Sequence, residues 1–289
     1  YPVRLADPAC PLFVALSGER VDGHDFLADA VAHGATAALV RRERAGTLSL
    51  GTPFAVVEPT GAGLAEAAAG AVLLIAVDEP LAALHRLAAF HWRMFTPTVI
   101  GITGSVGKTS TKEVTAAVLQ RRYCTLKNPR SYNNESPLPL TLLQLGHEHE
   151  VAVLEMGAYV PGDIALLAQL ARPNIGIVTN VGPSHMERMG SIEAVARTKS
   201  ELVQALPANG WAILNIDDPR VRAMADVTAA RPFFYGLDPA ADLWADAIEG
   251  RGLAGISFRA HHAGETVTLN LPLLGRHSVH TALAATSAG

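Results

Sequence analysis

Residues Thr98 to Thr111 read TVIGITGSVGKTST, a β-branched apolar run, a glycine-rich turn, a lysine and then hydroxyls. This is the order strand, phosphate loop, helix. In such a loop the backbone N–H groups of Gly104 to Lys108 point at a phosphate, and the dipole of the following helix adds to the attraction. Lys108 would reach the β- and γ-phosphates, and the Thr109 hydroxyl would hold Mg²⁺. The expected nucleotide cradle is Gly104, Ser105, Val106, Gly107, Lys108, Thr109 and Ser110. The full P-loop pattern also asks for Gly five residues before Gly107, where this chain has Ile102. The alternative is a glycine-rich turn that binds nothing, and the GKT triplet behind a buried-type strand weighs against it.

In open α/β sheets a ligand lies beyond the carboxyl ends of the strands. The run VAVLE delivers Glu155 to such an end, and IGIVTNV leads through Gly182 to His185. A carboxylate beside phosphates is a natural Mg²⁺ ligand. The plainer readings are a surface acid for Glu155 and a capping or hydrogen-bonding role for His185. Lys199 falls on the apolar stripe Ile192, Val195, Ala196, Leu202, Val203 and Leu206 of a helix that Ser191 can cap. A lysine there either snorkels to solvent or is a neutral amine open to reaction with CO₂, giving a metal-binding carbamate. In the turn-rich segment NPRSYNNESPLP, Arg130, Asn133 and Asn134 are candidates to line a nucleotide or substrate site. Asn215, Asp217 and Asp218 mark a further strand end, where an Asp cap on the next helix is as good a reading as ligand binding.

The elements that must position these residues follow from periodicity. Strands are expected at 11–16, 36–40 and 54–58, and a helix over 25–34 with Phe26, Ala30 and Val31 on one face. A helix over 79–94, with Leu81, Leu84, Leu87 and Ala88 in register, ends at Thr96-Pro97. Domains are therefore expected at 1–96 and 97–289, the first a small α/β unit. In the second, near-continuous Val/Ile/Leu strands at 98–103, 151–157, 174–181 and 211–217 alternate with helices. That pattern predicts an α/β fold with a mostly parallel sheet covered on both faces. After about residue 231 a β-rich meander is expected, then a helix from near His277.

The chain has 289 residues, 49% of them hydrophobic, enough for two cores. A net charge of −4 gives no basic face for nucleic acid. Two cysteines, Cys10 and Cys124, suit a reducing cytoplasm rather than a disulfide framework. The most apolar segment, Leu64 to Val77, is shorter than a membrane span, and no signal peptide is apparent. The chain opens at Tyr1 and stops inside an apparent helix, so a fragment is expected.

With these motifs in place, the chain resembles the ATP-dependent Mur ligases of peptidoglycan synthesis. LFVALSGERVDGHDFLADAVAHGATAALV is similar to the family's UDP-sugar-binding domain. GITGSVGKTSTKE, SYNNESPLPLTLL, LEMGAYVPGDI, TNVGPSHMERMGSIEAVARTKSEL, LNIDDPRV and GRHSVHTALAA follow in the family's order. EMG followed by GDI is similar to the MurF-type branch, which joins D-Ala-D-Ala to UDP-MurNAc-tripeptide. The resemblance implies ATP on Lys108 and its loop, one Mg²⁺ on Thr109 and Glu155, and a second on His185 and a carbamylated Lys199. It implies Asn134 near the γ-phosphate and metals, and catalytic roles for Lys108, Lys199 and His185. It also implies a cytoplasmic, monomeric enzyme with small-molecule substrates that forms an amide through an acyl phosphate. The chain departs from the family at Ser278 and Thr281, where Asn is usual, and VRLADPACPLF lacks a clear counterpart of the opening Asp-Ser-Arg motif. The family's third domain, which binds the incoming amine, would lie beyond this chain, which alone is expected not to complete ligation. The alternatives are a related ligase with another amine or acid, a non-catalytic nucleotide-binding module, and an unrelated P-loop kinase or GTPase.

Overall fold

The computed structural model describes residues 2–3, 11–18, 21–65, 67–184 and 186–289. The chain divides into two compact units, one of residues 1–94 with 142–144 and one of 95–141 with 145–289. In the first, β1 (Pro2–Val3), β2 (Leu12–Val14), β3 (Ala37–Arg41), β4 (Phe54–Val57) and β5 (Val72–Val77) form one sheet in the order β1-β2-β3-β5-β4. β1 runs antiparallel to β2, and the other pairs are parallel. Phe13, Ala38, Val40, Leu74 and Ala76 pack with Leu27 on one face of this sheet. β5 arises from the alanine-rich 64–77 segment, which carried no strand expectation. Its alternating burial is visible only once β3 and β4 flank it. The helix expected over 25–34 is a 3₁₀ turn at Gly23–Phe26 followed by α1 (Leu27–Ala32). Leu27 rather than Phe26 enters the core, and Phe26 is exposed. A short α2 (Arg42–Ala45) and α3 (Pro80–Trp92) complete the unit.

The second unit holds a nine-stranded sheet. Its elements run β6 (Thr98–Thr103), α4 (Lys108–Leu119), β7 (Thr125–Lys127), α5 (Pro137–Leu142), β8 (Val151–Glu155), α6 (Asp163–Ala171) and β9 (Ile175–Val178). They continue with α7 (Met186–Met189), α8 (Ile192–Gln204), β10 (Trp211–Asn215), α9 (Pro219–Arg222), β11 (Arg231–Gly236), β12 (Leu243–Gly250), β13 (Ile256–His262), β14 (Glu265–Leu271) and α10 (Ser278–Thr286). The strand order is β14-β13-β12-β11-β10-β9-β6-β8-β7. Pairing is parallel from β7 through β12 and antiparallel across β12, β13 and β14. The expected meander thus begins one strand late, because β11 continues the parallel register beside β10.

β6 is buried on both faces, as its unbroken VIGI run requires. Ile100 and Ile102 pack with Ala116 and Leu119 of α4 and with Val279 and Leu283 of α10. α8 covers the opposite face. A Cβ on Gly101 of β6 would lie 2.8 Å from Leu202 Cδ1, so the glycine lets α8 sit directly on the strand. Chain connections run to opposite sides of β6, toward β8 and β7 on one flank and β9 on the other. That reversal makes the carboxyl end of β6 the expected ligand crevice.

Candidate active site

The loop leaving β6 is fastened to the end of β9 by a dense set of hydrogen bonds. Ser105 N donates to Asn180 O at 2.9 Å, and Val106 N donates to Asn180 Oδ1 at 2.9 Å. Asn180 Nδ2 and Thr179 Oγ1 donate to Val106 O at 2.8 and 2.7 Å. Ser105 Oγ donates to Gly182 O at 2.9 Å. Gly104 has φ 148°, and a Cβ there would fall 1.9 Å from Thr179 Oγ1, so no larger residue fits. The N–H groups of Ser105 and Val106, expected to face a phosphate, are therefore spent on holding the loop. Gly107 caps α4 in a left-handed conformation with no side-chain acceptor. The first-turn N–H groups of Lys108, Thr109 and Ser110 accordingly lack partners inside the helix. They and the helix dipole form the anion-attracting end of the loop.

Glu155, 1% exposed, stands at the end of β8 beside this loop. Thr109 Oγ1 donates to its Oε2 at 2.8 Å, and Asn133 Nδ2 donates to its Oε1 at 2.6 Å. The neighbour of Glu155 is thus Asn133. Asn134 instead turns its Oδ1 toward Ser136 N, 3.3 Å away, at the entry to α5. Asn128 clamps the backbone of Glu155, accepting from its N–H at 2.9 Å and donating to its carbonyl at 3.0 Å. Lys112 is fully buried, and its Nζ donates to the carbonyls of Asn128 at 2.8 Å and Arg130 at 2.6 Å. Sequence reading missed Lys112, Asn128 and Asn180. For Lys112 a signal was present, since it shares a helical stripe with Thr115, Ala116 and Leu119, as Lys199 does on α8.

Lys108 Nζ folds back to the carbonyls of Gly104 and Ser105 at 2.8 and 3.2 Å. Burial pushes its pKa down, opposed by the charge of Glu155. Lys199 lies in α8, 4% exposed, and has no hydrogen-bond or ion-pair partner among the described residues. Burial, then the positive charge of Lys108, lowers its pKa to about 8. The stripe expected around it is present, with Val195, Leu202 and Val203 buried beside it. His185 lies outside the described residues. Among the described residues no group of three His, Cys, Asp or Glu side chains could hold a metal ion. Thr109 and Glu155 nonetheless offer a hydroxyl and a carboxylate within one hydrogen bond of each other, the hard oxygen donors that suit Mg²⁺ alongside substrate phosphates.

Next to the loop is a cavity of about 190 Å³ lined in part by Val106, Gly107, Asn180, Asn215, His280 and Thr281. Thr281 therefore borders the phosphate loop, whereas Ser278 Oγ donates to Leu274 O at 2.8 Å and secures the start of α10. Asp217 accepts from Leu237 N at 2.7 Å and from His280 Nε2 at 2.7 Å. Asp218 caps α9 and also accepts from Val181 N at 2.7 Å, which favours the capping reading of this residue.

Residues 102–289 match the Mur ligase middle domain, and residues 9–92 match the Mur ligase family catalytic domain. The chain belongs to the Mur ligase family. It is similar to the UDP-N-acetylmuramoyl-tripeptide–D-alanyl-D-alanine ligase of Mycobacterium tuberculosis, with 42% identity over 95% of this chain and 53% of the relative. The corresponding ligase of Escherichia coli is 37% identical over 98% of this chain and 57% of its own length. Among solved structures, MurF from Acinetobacter baumannii superposes with a TM-score of 0.79 at 28% identity, covering 96% of this chain and 55% of that one. The MurF ligase from Thermotoga maritima in complex with ADP gives a TM-score of 0.77 at 28% identity, with 96% and 58% covered. The chain spans about half the length of the curated relatives it matches. Among the described residues, no helix is long and apolar enough to cross a membrane.

Proposed function

We propose that this chain is the nucleotide- and UDP-substrate-binding part of a ligase that joins D-Ala-D-Ala to UDP-MurNAc-tripeptide at the expense of ATP. The observation that carries the reading is the pairing of Thr109 with Glu155 beside the fastened loop, with the buried Lys199 near enough to Lys108 for that charge to act on it. Relatives of this length coverage carry that activity in their names, and one solved relative holds ADP.

In the proposed reaction the terminal carboxylate of the tripeptide attacks the γ-phosphate of ATP, releasing ADP and forming an acyl phosphate. The amine of D-Ala-D-Ala then attacks the acyl carbon. The tetrahedral intermediate expels inorganic phosphate, and the amine proton is lost to solvent or a base. Lys108 and the free amides of α4 neutralise charge on the transferring phosphoryl group. Thr109 and Glu155 would hold one Mg²⁺ and His185 with a carbamylated Lys199 a second, and such ions supply electrostatic stabilisation of the phosphoryl oxygens. Formation of the carbamate joins the neutral Lys199 amine to CO₂ with loss of one proton. A pKa of about 8 leaves a workable fraction of that amine neutral. Asn134 remains a candidate near the γ-phosphate through its place beside Asn133. The reading carries with it a cytoplasmic monomer acting on small molecules, without nucleic acid or membrane insertion.

The test is a ligation assay on the complete gene product with UDP-MurNAc-tripeptide, D-Ala-D-Ala and MgATP, read by mass spectrometry of the UDP-linked product. A product heavier by one D-Ala-D-Ala unit, with stoichiometric ADP, is expected. Addition of a different amine, or no ADP release, would overturn the proposal.

A further inference from the structure

Lys112 has no part in the reaction proposed above, yet it is one of the largest fully buried side chains among the described residues. Burying an ammonium is costly unless every N–H is met. Here three acceptors surround Nζ: Asn128 O at 2.8 Å, Arg130 O at 2.6 Å and Glu113 Oε1 at 3.1 Å. Arg130 adopts φ 49°, a left-handed backbone uncommon for a residue with a side chain. The chain accepts that conformation where the carbonyls of Asn128 and Arg130 converge on one cation.

The same short segment controls Glu155. Asn128 grips its backbone on both sides, and Asn133 holds Oε1. The other carboxylate oxygen meets Thr109, one turn before Lys112 on α4. The hydrogen bonds therefore close a circuit from α4 through Lys112, the 128–133 segment and Glu155 back to α4 at Thr109. A closed circuit fixes the spacing between the hydroxyl and the carboxylate, the two oxygen donors suited to a divalent cation.

We infer that Lys112 is a positioning residue for divalent-cation binding at this site, acting through the 128–133 segment to aim Glu155 at Thr109. The inference rests on the nucleotide–Mg²⁺ reading of the loop. Groups that orient metal ligands typically change metal affinity about 10- to 100-fold when removed.

The experiment measures Mn²⁺ binding by electron paramagnetic resonance in the presence of ADP, and ADP binding by calorimetry in EDTA. Wild type is compared with Lys112→Met and Asn128→Ser. The second variant keeps the backbone carbonyl that Lys112 holds and removes the grip on Glu155. Both variants should lose about tenfold or more in Mn²⁺ affinity while metal-free ADP affinity stays within about twofold, since the loop and α4 amides are untouched. Unchanged Mn²⁺ affinity in a folded Lys112→Met protein would overturn the inference. So would equal losses of metal-free and metal-dependent binding, which mark a merely structural lysine. If Lys112→Met does not fold, Asn128→Ser decides alone, and unaltered Mn²⁺ affinity there also overturns it. A wild type that binds neither ADP nor Mn²⁺ would overturn both this inference and the nucleotide reading, an outcome distinct from a variant that matches a binding-competent wild type.

Discussion

Replacing Lys199 by Met should stabilise the second unit at neutral pH, provided CO₂ is excluded. The side chain is 4% exposed and unpaired among the described residues, and its pKa falls from 10.5 to about 8. At about 1.4 kcal/mol per tenfold, keeping the ammonium charged inside the fold costs about 3 kcal/mol, reduced in practice by relaxation and water entry. Methionine keeps the apolar stem and removes the charge. The sign follows from proton linkage. Between pH 8 and 10.5 the unfolded chain holds a proton that the folded chain has released, so wild-type stability rises with pH there. The variant lacks this group and this contribution. Urea unfolding followed by circular dichroism, in CO₂-free buffers at pH 7 and pH 10, should show the variant ahead by about 1 to 3 kcal/mol at pH 7 and by little at pH 10. Lys108→Met should narrow the gap at pH 7, because the charge of Lys108 is the second cause of the shift. A variant less stable than wild type at pH 7, or a gap that ignores pH, would refute the reasoning.

Gly104→Ala should abolish nucleotide binding and lower the melting temperature, because its Cβ would fall 1.9 Å from Thr179 Oγ1; calorimetry with ADP and a thermal melt check this. In the first unit, His24 Nδ1 meets Asp22 Oδ1 at 2.6 Å, and its Nε2 accepts from Arg41 N at 2.9 Å. His24→Ala leaves that N–H without its acceptor and should cost about 1 to 3 kcal/mol by urea unfolding. The hydrogen bonds from His24 lower the pKa of Asp22 to about 2. Its contribution is therefore complete above about pH 3.8 and lost as pH falls toward 2. Asp22→Asn should remove that portion of the acid dependence in a pH-resolved melt.

The strand, loop and helix around Lys108 were legible because continuous β-branched runs and a GKT triplet are local signals. Lys199 was legible because its helical stripe is a matter of phase alone. Glu155 followed from its place at a strand end. The choice between Asn133 and Asn134 was not legible, since neighbouring residues in a loop point according to tertiary hydrogen bonds rather than any period. Asn180 and Asn128 escaped for the same reason: each acts on backbone far away in sequence. β5 was hidden because its short apolar run follows directly on an alanine-rich stretch, and periodicity alone does not separate such a run from a buried helix segment; its partners β3 and β4 decide. Phe26 was misplaced because the 3₁₀ turn shifts the phase of the helix that follows.

The nucleotide reading of the loop is tested most directly by titrating ADP into this chain with Mg²⁺ and with EDTA, for wild type, Lys108→Ala and Glu155→Gln. Saturable binding that Mg²⁺ tightens in wild type, that weakens at least tenfold in Lys108→Ala, and that no longer responds to Mg²⁺ in Glu155→Gln is the expected result, tenfold being about 1.4 kcal/mol of lost phosphate contact. Absence of binding, or affinities indifferent to both substitutions, would contradict it.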